Sequence, residues 1–210
     1  FVNTHTHAAM TLFRSYADDM LLMDWLQTKI WPAEEKLTAG DVYWATLAAI
    51  GEMIKSGTTT FADMYFFMEE VAKATEESGM RAVLARGMAG VAPTAEQALV
   101  ESKELYNHWH NAADGRITVM LGPHAPYTCP PDYLKRVAAL AEDLGAEIHI
   151  HLSETKGEVE ECYKRHGKSP IRHMADLGIL QRGVLAAHCV HVDADDIALM
   201  KQYNTRVAHN

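Results

Sequence analysis

Phe1-Val2-Asn3-Thr4-His5-Thr6-His7-Ala8-Ala9 opens the chain. The apolar start reads as a short strand, and side chains two residues apart on a strand share a face. His5 and His7 therefore point the same way, with Cβ atoms roughly 7 Å apart, close enough to converge on one ion. The residues just after the strand are as informative as the strand. Thr4 to Ala9 contains no glycine, whereas a doubly wound nucleotide-binding sheet sets a Gly-rich phosphate loop directly after its first strand.

Further apolar, β-branched runs recur at 58–66, 81–88, 117–125, 147–154, 184–192 and 205–210. Helical periodicity fills 41–55, 68–78, 95–110, 131–144 and 193–203, with Pro130-Pro131 opening one helix and Gly57, Gly79, Gly145 and Gly178 where helices should end. Strand-then-helix units repeated along a chain give a parallel sheet with helices outside. Without a phosphate loop, the expected fold is α/β, a (β/α)8 TIM-type barrel of the metal-dependent hydrolase kind with about seven of its eight strands present. Residues 1–210 read as one partial barrel domain, beginning at the first strand and stopping at the seventh.

Composition narrows the function. With 210 residues, 48% apolar and 22% charged, the chain can bury a substantial core. A net charge of -9 without a Lys/Arg cluster argues against a nucleic-acid backbone or an anionic membrane as partner and favours a small-molecule substrate. No apolar stretch has the length of a membrane span, and the N-terminus lacks the layout of a signal peptide. Cys129, Cys162 and Cys189 are an odd number without paired spacing, so reduced thiols and a cytoplasmic location are expected. A homo-oligomer is compatible with all of this.

In a barrel of this kind the active site forms where strands end, so polar residues there are functional candidates. Strand one ends in His5 and His7, strand four in His124, strand five in His151 and Glu154, strand six in His188 and strand seven in His209. His108, His110, His166 and His173 fall on helices or loops, where a solvated histidine is the simpler account. On strand five, alternation separates Ile148, Ile150 and Leu152 from His149 and His151. His151 lies nearer the mouth and is the expected ligand, and His149 is assigned to an inner packing layer as a hydrogen-bonded core histidine. Glu154 suits a proton shuttle beside a metal-bound water, against the plainer alternative of an N-cap or first-turn Glu on the next helix.

FVNTHTH, WPAEEKLT, SGTTTFADMYF, LGPHAPYTC, HIHLSETKGEVEEC, LAAHCVH and VAHN, in that order from end to end of the chain, resemble the amidohydrolase superfamily. More narrowly they resemble its methylthioadenosine/S-adenosylhomocysteine deaminase branch, beside chlorohydrolase-like and guanine deaminase relatives. The resemblance implies one divalent metal, usually zinc with iron or manganese as alternatives, on His5, His7 and His151. Glu154 is then the proton-transfer carboxylate, and His188 orients or polarises the attacking water. The same resemblance implies a substrate contact for His124, ribose recognition by Glu34, a tail contact by Arg86 and packing of Trp25 against the nucleoside.

The chain departs from the family pattern in several places. The family's fourth ligand, an Asp ending strand eight, has no counterpart, nor does the β-sandwich that flanks the barrel. Asp63, expected to end strand two, is on the wrong strand for that ligand and reads as structural. A second arginine found in some relatives is missing from Val91 to Gln97. Strand four carries no lysine to bridge two metals, which favours one. The expected reaction is hydrolytic deamination of a 6-aminopurine nucleoside. The alternatives are a chlorohydrolase or guanine deaminase-like activity, or a non-catalytic fragment.

Overall fold

A computed structural model describes residues 1–210. Its seven strands are β1 (Val2–Thr6), β2 (Thr60–Tyr65), β3 (Arg81–Met88), β4 (Ile117–Pro123), β5 (Ile148–Leu152), β6 (Val184–His188) and β7 (Arg206–Ala208). The helices in chain order are α1 (Leu22–Trp25), α2 (Trp31–Glu34), α3 (Ala39–Lys55), α4 (Met68–Ser78), α5 (Ala95–Trp109), the single turn α6 (Ala112–Gly115), α7 (Pro131–Leu144), α8 (Lys156–His166), α9 (Pro170–Asp176) and α10 (Ala194–Gln202). Every strand pairs in parallel with its sequence neighbour, in the order β1-β2-β3-β4-β5-β6-β7. The sheet curls into a nearly closed barrel with helices between the strands, as the absence of a phosphate loop led one to expect.

Strand alternation sorts the side chains into two layers. Facing the helices, Phe61, Leu84 and Ile117 pack with Val42, Ile50 and Val71 of α3 and α4. Around the other half, Ile148, Ile150 and Val184 pack with Leu134 and Val137 of α7 and with Ile171 of α9. Removing one such side chain from water contributes about 1.5–3 kcal/mol, so this outer layer holds the barrel's shape. Inside, Met64, Ala85 and Met120, with Val83 and Leu185, fill the floor. The interior is packed below and polar only toward the mouth, which confines reactive chemistry to one end.

Helix termini follow their local sequence. Thr38 and Asp41 close a reciprocal capping box at the start of α3, and Asp193 and Asp196 do so at α10. Pro131 occupies the first turn of α7, where its missing N–H costs nothing. Gly79 and Gly145 end α4 and α7 at φ of 75° and 66°, a left-handed conformation that favours glycine.

Some expectations are corrected. The segment 22–34, which coils through α1, a wide turn at Leu26–Ile30 and α2, is helical without having shown clear periodicity. Strand six stops at His188 instead of running on to 192, because His188 and Cys189 take positive φ values of 74° and 51° that no strand accommodates. Asp63 lies within β2 rather than at its end, fully buried, with Oδ1 accepting from the Ala8 N–H at 2.9 Å. It ties down the turn that follows β1. No helix is long and apolar enough to cross a membrane.

Candidate metal centre and catalytic site

Four strands deliver imidazoles to one point at the barrel mouth. From β1, whose register against β2 shifts between Asn3 and Thr6, come His5 and His7, with ring centroids 4.9 Å apart. From β5 comes His151, 4.8 Å from the His5 ring and 5.3 Å from that of His7. The His188 ring, at the end of β6, lies 5.4 Å from both His5 and His151. His124, one residue past β4, is 4.8 Å from His151. Ring nitrogens of His5, His151 and His188 all fall within 4.8 Å of one another.

Hydrogen bonds fix the tautomers. A carbonyl oxygen only accepts, so His7 Nδ1 donates to Met64 O at 2.5 Å and His151 Nδ1 donates to His124 O at 2.7 Å. Each neutral ring is left with a bare lone pair on Nε2, and those two Nε2 atoms face each other at 3.3 Å. Two lone pairs so placed repel unless a cation lies between them. Two nitrogens on a tetrahedral zinc with Zn–N near 2.0–2.1 Å are separated by about 3.3 Å, so the residues fit a metal ion. The surrounding contacts agree, because a ligating histidine usually passes its other N–H to a carbonyl or similar acceptor. His5 Nδ1 lies 2.8 Å from Nε2 of the fully buried His149.

Burial, reinforced by neighbouring imidazoles, holds these rings neutral. His5 is lowered to about 2, His149 to about 3 and His124 to about 4, each chiefly by loss of solvent. His7, His151 and His188 are lowered for the same leading reason. Neutral imidazole is the form that donates a lone pair to a metal.

On β6, alternation would send His188 outward with Val184 and Ala186. The left-handed φ of 74° turns it inward instead, where its Nε2 stands 3.6 Å from Glu154 Oε1. A bulky residue at positive φ is strained, and such strain collects at functional sites. His209, just past β7, sets its Nδ1 2.9 Å from the His188 carbonyl and so donates to it. Burial raises the carboxyl of Glu154, which eases its holding a proton near neutral pH. Glu154 precedes the N-cap of α8, Thr155, so the first-turn alternative for this residue does not hold.

Of the residues expected to touch substrate, His124 is at the mouth, with Nδ1 2.9 Å from Thr128 Oγ1. Glu34 ends α2 half-buried, beside the Tyr65 hydroxyl, and the Tyr65 ring lies 6.3 Å from His7. Burial pushes Glu34 up to about 7, with Tyr65 pulling the other way. Trp25 ends α1, half-buried on the same connection. Arg86 is not brought to the centre: it shares the helix-facing parity of Ala82 and Leu84 on β3. Its Nε donates to Glu101 Oε2 at 2.6 Å, and its guanidinium lies 5.3 Å from the Phe66 ring centroid.

Sequence reasoning passed over Glu158. Thr155-x-x-Glu158 has capping-box spacing, but the Glu158 carboxylate bypasses the cap residue and accepts from the Ser153 and Glu154 N–H groups, each at 2.9 Å.

Residues 1–210 match the model of the amidohydrolase family along their whole length. The chain belongs to the amidohydrolase family. It is 61% identical over 211 residues to a 5-methylthioadenosine/S-adenosylhomocysteine deaminase of Syntrophomonas wolfei, a match covering 100% of this chain and 49% of that protein. Among solved structures it resembles a zinc-bound adenosine deaminase from Xanthomonas campestris, with a TM-score of 0.93 and 33% identity over 99% of this chain and 48% of that one. A guanine deaminase from C. acetobutylicum with bound guanine shares the fold, with a TM-score of 0.90 at 20% identity, over 99% of this chain and 52% of that one. This amidohydrolase chain thus spans about half the length of the relatives it matches.

Proposed function

We propose that this barrel half carries the centre of a metal-dependent hydrolytic deaminase of 6-aminopurine nucleosides such as 5′-methylthioadenosine or S-adenosylhomocysteine. The observation that carries the reading is the Glu154 carboxyl beside His188, at the edge of a five-imidazole cluster in which the tautomers of His7 and His151 leave lone pairs facing one another. The naming of the 61% identical relative supports the substrate class. His5, His7 and His151 would hold one divalent ion, zinc by the neutral-nitrogen donor set, with iron or manganese as the other candidates. When bound, it supplies Lewis acidity that brings the pKa of water toward about 7.

The chain's own residues divide the remaining work. Water adds to C6 of the purine, the C6–N bond breaks and ammonia leaves. Glu154 relays one proton of the adding water to the ring nitrogen next to C6 and then the remaining O–H proton of the adduct to the departing amine, leaving the 6-oxopurine and ammonia, and its raised pKa suits it to both transfers. His188 orients the attacking water and steadies the Glu154 carboxyl. His124 contacts the purine near C6, Glu34 accepts from the ribose hydroxyls and Trp25 packs on the nucleoside. Arg86 keeps its place in the ion pair with Glu101 and is assigned no substrate contact. We place the strand-eight aspartate ligand and the flanking β-sandwich outside residues 1–210. Three free, buried thiols fit a reducing cytoplasm.

The test is ammonia release, followed with the change in purine absorbance, on 5′-methylthioadenosine, S-adenosylhomocysteine, guanine and a chlorotriazine. Turnover of the first two ahead of the others supports the reading. Turnover of guanine or dechlorination alone replaces it.

A further inference from the structure

Resting on the reading of Glu154 as the proton-transfer residue, we infer that Glu158 is its positioning residue: a buried carboxylate clamp that sets where the Glu154 side chain starts. Strand β5 ends at Leu152, and Ser153 turns the chain through a positive φ of 51° before the N-cap of α8. A serine in that conformation does not hold itself there. Four hydrogen bonds hold the turn. The Leu152 and Ser153 carbonyls accept from the N–H groups of Cys189 and His191, both at 2.9 Å, which joins the end of β5 to the segment after β6. From the other side Glu158 Oε1 accepts from Ser153 N–H and Oε2 from Glu154 N–H.

Each oxygen of Glu158 therefore takes one of two consecutive backbone donors, and these bonds favour the ionised carboxylate against the burial that pushes it up to about 7. Glu158 is 8% exposed, so water replaces these bonds poorly, and its own N–H is held by Thr155 Oγ1 at 3.1 Å. The first turn of α8 is consequently rigid with respect to the Glu154 backbone. The carboxyl of Glu154 stands 3.6 Å from His188 because both residues leave strained turns that are fastened to each other. A charge-assisted pair of backbone hydrogen bonds is strong enough to hold such a turn, and a displacement of about 1 Å at a proton-transfer group costs rate far more than it costs binding.

Glu158→Gln is nearly isosteric but turns an NH2 group toward one of the two N–H donors, and Glu158→Ala removes both acceptors. Two readouts separate positioning from general stability. Amide hydrogen exchange on the 210-residue chain needs neither metal nor turnover. Exchange at Ser153 and Glu154 should accelerate at least tenfold in both variants, while β3 exchanges as in the wild type. In protein active on methylthioadenosine, kcat per bound metal should fall about tenfold or more in both variants, with KM and metal stoichiometry unchanged. Unchanged exchange overturns the clamp. Faster exchange with unchanged kcat overturns its positioning role, as does a loss of kcat matched by lost metal. A wild-type protein that deaminates nothing rejects the functional reading instead, and the clamp then stands or falls on exchange alone.

Discussion

The β5–β6 side of the mouth and the connection between β1 and α3 both bear on the proposed site, and they are built in opposite ways. At β5 and β6 every contributing residue is fixed by the sheet or by a buried contact: His151 by the His124 carbonyl, Glu154 by the Glu158 clamp, His188 by a left-handed turn. The connection from Ala8 to Thr38 is made of short helical turns and leaves Leu12, Tyr16 and Leu21 exposed. It carries Glu34 and Trp25 at helix ends. Under the proposed function the contrast is a division of labour, in which chemistry that tolerates no displacement is set on strand ends and recognition of a substrate's periphery on a longer, looser segment.

Four changes break or sharpen that comparison. The largest effect is expected from His5→Ala, which removes a lone pair from the centre and should abolish stoichiometric metal together with activity, a loss on the order of 10⁴-fold in kcat/KM. Metal analysis beside steady-state kinetics checks both. Glu154→Gln comes next: kcat should drop about 10²–10³-fold while metal content stays at the wild-type value. If turnover persists, the proton path lies elsewhere.

On the looser side, Glu34→Gln should raise KM about tenfold and leave kcat nearly unchanged, the size of a lost hydrogen bond to a charged group. A pH dependence accompanies it, with a definite sign. Glu34 sits at about 7 in the folded protein and accepts fully from ribose hydroxyls only when ionised. KM should therefore fall as pH rises through 7 and climb below it, and Glu34→Gln should flatten that profile. A KM that rises with pH, or a slope that survives in the variant, removes Glu34 from recognition.

Arg86→Ala should matter least to catalysis. With Arg86 11% and Glu101 39% exposed, the pair is partly screened. Its loss should cost about 1 kcal/mol and ~2–4 °C in Tm, with KM unaltered. An increase in KM confined to substrates with a charged tail would return Arg86 to the substrate site.

The same contrast explains what could be read in advance. Period-two alternation is a strong signal, so the Ile148/Ile150/Leu152 face and the His149/His151 face were legible, and with them the barrel and the strand-end histidines. The inward turn of His188 was not, since it depends on backbone torsions at 188 and 189 that alternation would contradict. The Arg86–Glu101 pair was not legible for the complementary reason: parity on β3 sends Arg86 toward the helices, and a motif match carries no parity. Glu158 was passed over because its partners, the Ser153 and Glu154 N–H groups, are set by the turn at Ser153, a tertiary feature. Helices α8 and α9 are short and begin on Thr155 and Ser169 caps, where propensity is a weaker guide than packing.

The central claim is that His5, His7 and His151 hold one divalent ion while His188 serves the reaction from beside it. The most direct measurement is zinc titration by calorimetry of the wild type, His7→Ala and His188→Ala. The account predicts one ion per wild-type chain, no stoichiometric binding in His7→Ala, and binding in His188→Ala within about tenfold of the wild type. Stoichiometric binding retained by His7→Ala but lost in His188→Ala would contradict it, and would assign the ion to His5, His151 and His188.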